Sequence, residues 1–106
     1  MKEEPNIEYI DQLANGDESI KNRLIKVMKE ELPIEIENYN ANIEKLNWLE
    51  AAENVHKLRH KIGFLGLENA YQLSYEYEQN LREQSVLLKK EFEVVLKKII
   101  NFISKL

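Results

Sequence analysis

The chain has 106 residues, of which 32% are charged, three are glycine, two are proline and none is cysteine. A chain of this length is expected to form one domain around one core, which excludes an enzyme with separate cofactor and substrate domains. The lack of cysteine excludes disulfide scaffolds, thiolate zinc sites and thiol catalysis. The formal net charge of −4 argues against nucleic acid as a partner, because phosphate binding requires a basic surface.

The beginning of the chain is polar. Residues Met1-Lys2-Glu3-Glu4-Pro5 have no apolar stretch behind them, and no apolar run in the sequence approaches the length of a membrane span. We therefore predict no signal peptide, no membrane contact and a cytoplasmic location. Met1 and the self-contained set of helices favour a free-standing protein over a piece of a larger one.

Apolar residues recur at steps of three and four, which predicts helix along most of the chain. A short helix is expected from about Asn6 to Ala14, closed by Asn15-Gly16. Asp17 is the predicted N-cap of a long second helix. Its apolar stripe runs to Leu46 and passes Pro33, which is expected to kink the helix rather than end it.

Three further helices are predicted over about 48–62, 67–81 and 86–104, with Ser85 as a candidate cap for the last. The last helix has the most regular stripe, which consists of Leu88, Phe92, Val95, Ile99 and Phe102. Connections of two to six residues favour antiparallel neighbours. The expected fold is all-α: an antiparallel up-down-up-down four-helix bundle with a short N-terminal helix across one end, forming a single domain over residues 1–106.

The third helix carries the candidate site. At 100° per residue, its predicted solvent side carries Ala52, His56, Arg59, His60 and Gly63. Because Ala52 and Gly63 are small, His56 is expected to lie on a flat surface suited to docking.

Positive charge is concentrated around this histidine. Residues 54–63 contain Lys57, Arg59 and Lys61 and no acid, whereas the other 96 residues hold 12 basic and 19 acidic side chains. A positive field around an exposed imidazole suits either an anion attached to the ring or an acidic partner. Neutral imidazole is a nucleophile near neutral pH, and a cation one turn away would hold a phosphoryl group on its nitrogen.

The stretch His56-Lys57-Leu58-Arg59, followed by Leu65-Gly66, resembles the histidine-containing phosphotransfer (HPt) domain family. Asn15-Gly16-Asp17, Glu31-Leu32-Pro33 and Asn47-Trp48 are similar to the family's upstream pattern, and the resemblance covers about residues 7–83. It implies the HPt four-helix bundle, with His56 as the phosphorylated residue of a multistep phosphorelay. The implied partners are receiver domains, which supply the bound Mg²⁺ and the acidic pocket. HPt domains use no cofactor and no ATP of their own, and we expect a monomer.

The sequence departs from the family at His60, where Gly is usual. Three interpretations remain open: His60 shapes the docking surface, it holds the phosphoryl group with Arg59, or it is a second phosphate acceptor or a metal ligand with His56. Two histidines at i and i+4 can chelate a divalent ion, but the three nearby cations would repel it and Asp or Glu should complete the shell. We therefore predict no metal site.

The predicted fourth helix should run back past His56 at about residues 74–79. HPt domains often place a polar side chain there that hydrogen-bonds the ring nitrogen opposite the phosphorylated one. Glu78 is the preferred candidate for this orienting residue, with Tyr75 and Gln79 as alternatives. The competing interpretation is that Glu78 is a solvated surface charge with no role at the site.

Two functions therefore compete. In the first, His56 carries a phosphoryl group between receiver aspartates, with electrostatic support from Arg59 and from Lys57 or Lys61. In the second, the protein is a non-catalytic helical adaptor that binds acidic partners through the His56, Arg59 and His60 face. The register of the motif favours the first.

Overall fold

A computed structural model describes residues 3–106. This range contains no strand and five helices, which are α1 (Glu8–Ala14), α2 (Glu18–Glu44), α3 (Trp48–Phe64), α4 (Glu68–Arg82) and α5 (Lys89–Ile103). The predicted all-helical class is confirmed. Helix α3 lies against α2 and α4, α5 packs on the same two helices, and α1 packs on α2, so the buried apolar residues form one core. Over the described residues, no helix combines the length and the apolar character needed to cross a membrane.

The predicted break between the first two helices is confirmed. Helix α1 ends at Ala14, and Asn15 adopts the left-handed conformation with φ of 49°. The Asp17 carboxylate then accepts hydrogen bonds from the backbone amides of Ser19 and Ile20, at 2.9 and 3.2 Å. These bonds satisfy two amides that the first turn of α2 leaves without an intrahelical partner.

Helix α2 runs through Pro33 without interruption, as the continuing apolar stripe predicts. Met28, Leu32 and Tyr39 are its buried residues. The expectation that the apolar stripe of this helix runs to Leu46 is wrong. The helix ends at Glu44, and Leu46 follows with φ of 60° and 64% of its surface exposed.

Helix α5 begins at Lys89, three residues later than predicted. The residues before it form a turn in which the Leu87 amide donates to Ser85 Oγ at 3.3 Å. The N-cap position falls to Leu88, which has no side-chain acceptor, so the prediction of Ser85 as the cap is wrong. The buried face of α5 consists of Phe92, Leu96, Ile99 and Ile103.

The turn between α3 and α4 is held by a residue from the start of the chain. The Asn6 amide donates to the Leu65 carbonyl at 2.9 Å, while Asn6 Oδ1 accepts from the Glu8 amide at 3.0 Å. This is why α1 begins at Glu8 rather than Asn6. Gly66 sits in the turn with φ of +76°, and a Cβ there would lie 2.6 Å from Asn6 Nδ2. The turn brings α4 back along α3, which places their facing side chains in contact.

A buried polar network links α2, α4 and α5. The hydroxyls of Tyr39 and Tyr77 lie 2.6 Å apart, and Tyr39 donates to Glu93 Oε2 at 3.0 Å. The Phe92 ring packs against both tyrosine rings, with centroids 5.5 Å from Tyr39 and 5.1 Å from Tyr77. Burial raises the pKa of Tyr77 to about 12 and raises the pKa of Tyr39 above its usual range, so both hydroxyls stay protonated at neutral pH.

Candidate functional site

His56 and Glu78 meet across the α3–α4 contact. His56 Nδ1 lies 3.2 Å from Glu78 Oε1. The His56 side chain is 42% exposed and that of Glu78 only 6% exposed, so the ring is open to solvent while its partner is buried. Of the three candidates named for the level of His56 on α4, Glu78 is the one that contacts the ring, whereas Tyr75 and Gln79 are exposed.

Two arginines bind the Glu78 carboxylate, one at each oxygen. Arg59 Nη1 donates to Oε1 at 2.7 Å, and Arg82 Nη2 donates to Oε2 at 2.8 Å. Arg82 also donates to Glu53 Oε1 at 2.8 Å. Burial alone would raise the pKa of Glu78, but the hydrogen bonds from Arg82 and His56 and the charge of Arg59 outweigh burial and hold this pKa below its usual value. Glu78 is therefore a carboxylate at neutral pH.

Arg59 is buried, although a helical wheel at 100° per residue places it on the solvent side of α3. Only 8% of its surface is exposed. Its guanidinium carbon lies 5.3 Å from the Tyr75 ring centroid and 5.7 Å from that of Tyr71, within the range of cation–π attraction. Helix α4 supplies both rings and Glu78, so it covers the side of α3 on which Arg59 lies. The expectation of a solvent-facing Arg59 is therefore wrong.

The Nδ1 atom of His56 has two neighbours of opposite kind. Glu78 Oε1 can only accept a hydrogen bond, whereas Arg59 Nη2, which lies 3.0 Å from Nδ1, can only donate one. Nδ1 therefore donates to Glu78 when it carries the ring proton and accepts from Arg59 when it does not. Both contacts occupy the Nδ1 edge of the ring, and Nε2 is the nitrogen that remains for chemistry.

His60 follows His56 by one helical turn. The two ring centroids are 5.2 Å apart, and the ring planes meet at 86°. His60 is exposed, as expected for a residue on the outer face of α3. The two imidazoles therefore form an adjacent pair at the surface.

The three cations of residues 54–63 do not act as one positive patch. Arg59 is neutralised by Glu78. Lys61 binds Glu31 and Glu35 of α2 at 2.9 and 3.1 Å, and these hydrogen bonds outweigh burial and raise the pKa of Lys61. Lys57 is exposed and has no ion-pair partner among residues 3–106. The formal charge of +3 over residues 54–63 is therefore largely compensated, and Lys57 is the cation of the three that has no ion-pair partner among residues 3–106.

The two small residues predicted to flatten the docking surface differ in the structure. Ala52 is completely buried, so the expectation that it lies on the exposed face is wrong. Gly63 is partly exposed and lies within α3, where a Cβ would come 3.2 Å from the Tyr71 ring. Gly63 thus allows α4 to approach α3 closely.

An apolar pocket opens beside His60. It has a volume of about 210 Å³ and lies between α1, α2 and α3. Its walls include Leu24, Val27, Met28 and Phe64, with His60 at one side. A partner that contacts His60 would therefore also meet apolar surface.

The described part of the chain contains no group of three or more His, Asp or Glu side chains placed to hold a metal ion. The comparisons with known proteins found no matching family model, no matching curated protein and no matching solved structure.

Sequence reasoning missed Glu53 and Arg82, which complete the chain of ion pairs behind His56. One signal was available. Arg82 stands four residues after Glu78, which is the spacing of a helical ion pair, so Arg82 belongs to any site that contains Glu78.

Proposed function

We propose that this protein is a histidine phosphotransfer domain of a multistep phosphorelay, in which His56 accepts a phosphoryl group from a receiver aspartate and passes it to another receiver. The observation that carries the proposal is the exposed His56 ring, held at Nδ1 by the buried Glu78 carboxylate with Nε2 left free. The motif His56-Lys57-Leu58-Arg59 and Leu65-Gly66, similar to that of the HPt family, occurs at this same place.

The transfer follows from the hydrogen-bond pattern. With the ring proton on Nδ1 and shared with Glu78, the Nε2 lone pair attacks the phosphorus of an aspartyl phosphate in line with the bond that breaks. The N–P bond forms, the P–O bond to the aspartate breaks, and the aspartate leaves as a carboxylate. The ring then carries positive charge and its Nδ1 proton faces Glu78 Oε1, which stabilises that charge. Transfer to the next aspartate reverses these bonds.

The residues around His56 have distinct roles in this proposal. Glu78 orients the ring, and Arg59 and Arg82 hold Glu78 in place. Because Arg59 occupies the Nδ1 edge, it is a positioning residue here, and Lys57 is the cation available to a phosphoryl group on Nε2. His60 and the apolar pocket beside it belong to the docking surface for the receiver.

The remaining parts of the proposal concern architecture and setting. The four long helices are taken to run antiparallel, up-down-up-down, with α1 across one end, in a single domain. The protein is taken to be a cytoplasmic monomer that uses no cofactor and draws Mg²⁺ from the receiver.

The test is incubation with a receiver domain phosphorylated on its aspartate. Wild-type protein is expected to acquire an acid-labile phosphate, and His56→Gln is expected to acquire none. His60→Gln should still acquire the phosphate, at a rate lowered by the place of His60 on the docking surface, because this variant leaves the proposed acceptor intact. Labelling that persists in His56→Gln would refute the assignment.

The apolar pocket beside His60 favours a second candidate, a non-catalytic adaptor that docks partner proteins on the same face. In this alternative, Lys57 is the cation that meets the acidic group of the partner. This alternative predicts partner binding that is unchanged in His56→Gln and no phosphate transfer from any receiver. Binding affinity and labelling measured on the same receivers distinguish the two functions.

A further inference from the structure

The exposed pair of histidines has the helical spacing of a chelating pair. Their ring centroids lie 5.2 Å apart on successive turns of α3. Histidines at i and i+4 on one helical face are a recurring zinc-binding arrangement, because both rings can reach one ion. We propose that His56 and His60 bind a borderline divalent transition metal, Zn²⁺, and that the bound ion blocks phosphoryl acceptance at His56. The blocking effect rests on the proposed function, whereas the metal site does not.

The buried partner of His56 supports the metal site. A histidine that ligates a metal usually gives its other N–H to a carboxylate, a backbone carbonyl or a water, which fixes the tautomer and makes the ligating nitrogen more basic. Glu78 Oε1 stands 3.2 Å from His56 Nδ1. Glu78 is itself held by Arg59 and Arg82, so the ring orientation that presents Nε2 to an ion is set in advance.

The charge distribution weakens one objection to a cation at this place. We predict no metal from the sequence for two reasons, repulsion from three basic residues and the lack of an Asp or Glu to complete the shell. In the structure, two of the three cations are compensated by carboxylates. Arg59 pairs with Glu78, and Lys61 is shared by Glu31 and Glu35. Lys57 alone opposes an incoming ion.

The donor set favours borderline transition metals over Mg²⁺. Two imidazole nitrogens suit Zn²⁺, Cu²⁺ or Ni²⁺, while Mg²⁺ prefers oxygen ligands and keeps its water shell. The absence of a third protein ligand among residues 3–106 leaves two tetrahedral positions for water, so the site is open and reversible. Because the ion and a phosphoryl group need the same Nε2 lone pair of His56, only one of them can be bound at a time.

Calorimetric titration of the dilute wild-type chain with ZnCl₂ tests the site. We expect one ion per chain, loss of at least about tenfold in affinity in His60→Gln, and a loss of about 10- to 100-fold in Glu78→Gln. The double variant His60→Gln/Lys90→His controls for the number of histidines, because it keeps two but places the second on α5. It should bind Zn²⁺ as weakly as His60→Gln. MgCl₂ should give no binding heat. Equal Zn²⁺ affinity in wild type and His60→Gln would overturn the site.

Phosphoryl transfer with and without ZnCl₂ tests the blocking effect. The quantity compared is the transfer rate with ZnCl₂ divided by the rate without it, for each variant. This ratio cancels any effect of His60→Gln on docking, since His60 also lies on the docking surface. Zn²⁺ should slow acceptance by wild type and leave the rate of His60→Gln unchanged. Equal inhibition of both would place the effect on the receiver and overturn the regulation. Zn²⁺ binding that needs His60, in a protein that no receiver labels, would support the site and refute the relay.

Discussion

Replacing Glu78 with Gln should destabilise the fold as well as the candidate site. Glu78 and Arg59 are 5% and 8% exposed, so they form a buried ion pair. Glutamine has nearly the same size, but it removes the negative charge and leaves the Arg59 guanidinium buried without a counter-charge. The variant therefore isolates the charge of one carboxylate from its volume.

The size of the effect follows from the partners of Glu78. Removing one member of a buried ion pair costs about 3–5 kcal/mol. The glutamine carbonyl can still accept from Arg59 Nη1, which recovers about 1 kcal/mol. Arg82 is 36% exposed, so its bond adds less than about 1 kcal/mol. We expect a loss of about 3 kcal/mol in unfolding free energy from these contributions.

Urea unfolding followed by circular dichroism measures this loss. The matched control is Glu76→Gln, an exposed position on the same helix, where a change within about 0.5 kcal/mol is expected. The double variant Arg59→Met/Glu78→Gln removes both charges and should lose less than the sum of the two single variants. A loss below about 1 kcal/mol in Glu78→Gln, or strict additivity in the double variant, would refute the buried pair.

Other positions give independent checks on the fold. Gly66→Ala should cost more stability than Gly16→Ala, since both glycines have positive φ but only a Cβ at Gly66 would meet Asn6, at 2.6 Å; equal losses in urea unfolding would contradict this contact. Asp17→Ala should lose about 1 kcal/mol by removing the cap of α2, measured in the same way, while unchanged stability would count against the cap. Because the pKa of Glu78 is lowered by folding, its contribution to stability is present above the unfolded pKa and is lost as the pH falls through the folded one. Wild type should therefore lose stability in acid more steeply than Glu78→Gln, and parallel pH profiles would contradict this.

The helices were predictable because their apolar residues recur at helical spacing and their ends carry local signals. Asn15 and Asp17 mark a stop and a start through their own backbone and side-chain chemistry, and both act as predicted. The start of α5 lacked such a signal. Val86, Leu87 and Leu88 continue the apolar pattern, but they form a turn, which the spacing of apolar residues cannot distinguish from a first helical turn.

The candidate site was only partly predictable for a related reason. Counting residues back from the α3–α4 turn brings Glu78 to the level of His56, and the structure places them in contact. A helical wheel describes one helix and gives no information on the neighbour that covers it. Helix α4 covers the side on which Arg59 and Ala52 lie, so both are buried although the wheel assigns them to solvent.

The network of Tyr39, Tyr77 and Glu93 makes the bundle selective for one register of α5. Apolar residues repeat along α5 at steps of four and three, so a slide by one turn, about 5.4 Å, would still bury an apolar face. The same slide would carry Glu93 away from the Tyr39 hydroxyl. The two tyrosine hydroxyls would then have only each other, so one of their two O–H donors would lose its acceptor, which costs about 1–3 kcal/mol for a buried group. Hydrophobic burial thus holds α5 on the bundle, and the hydrogen bond between Tyr39 and Glu93 sets the register of α5 against α2.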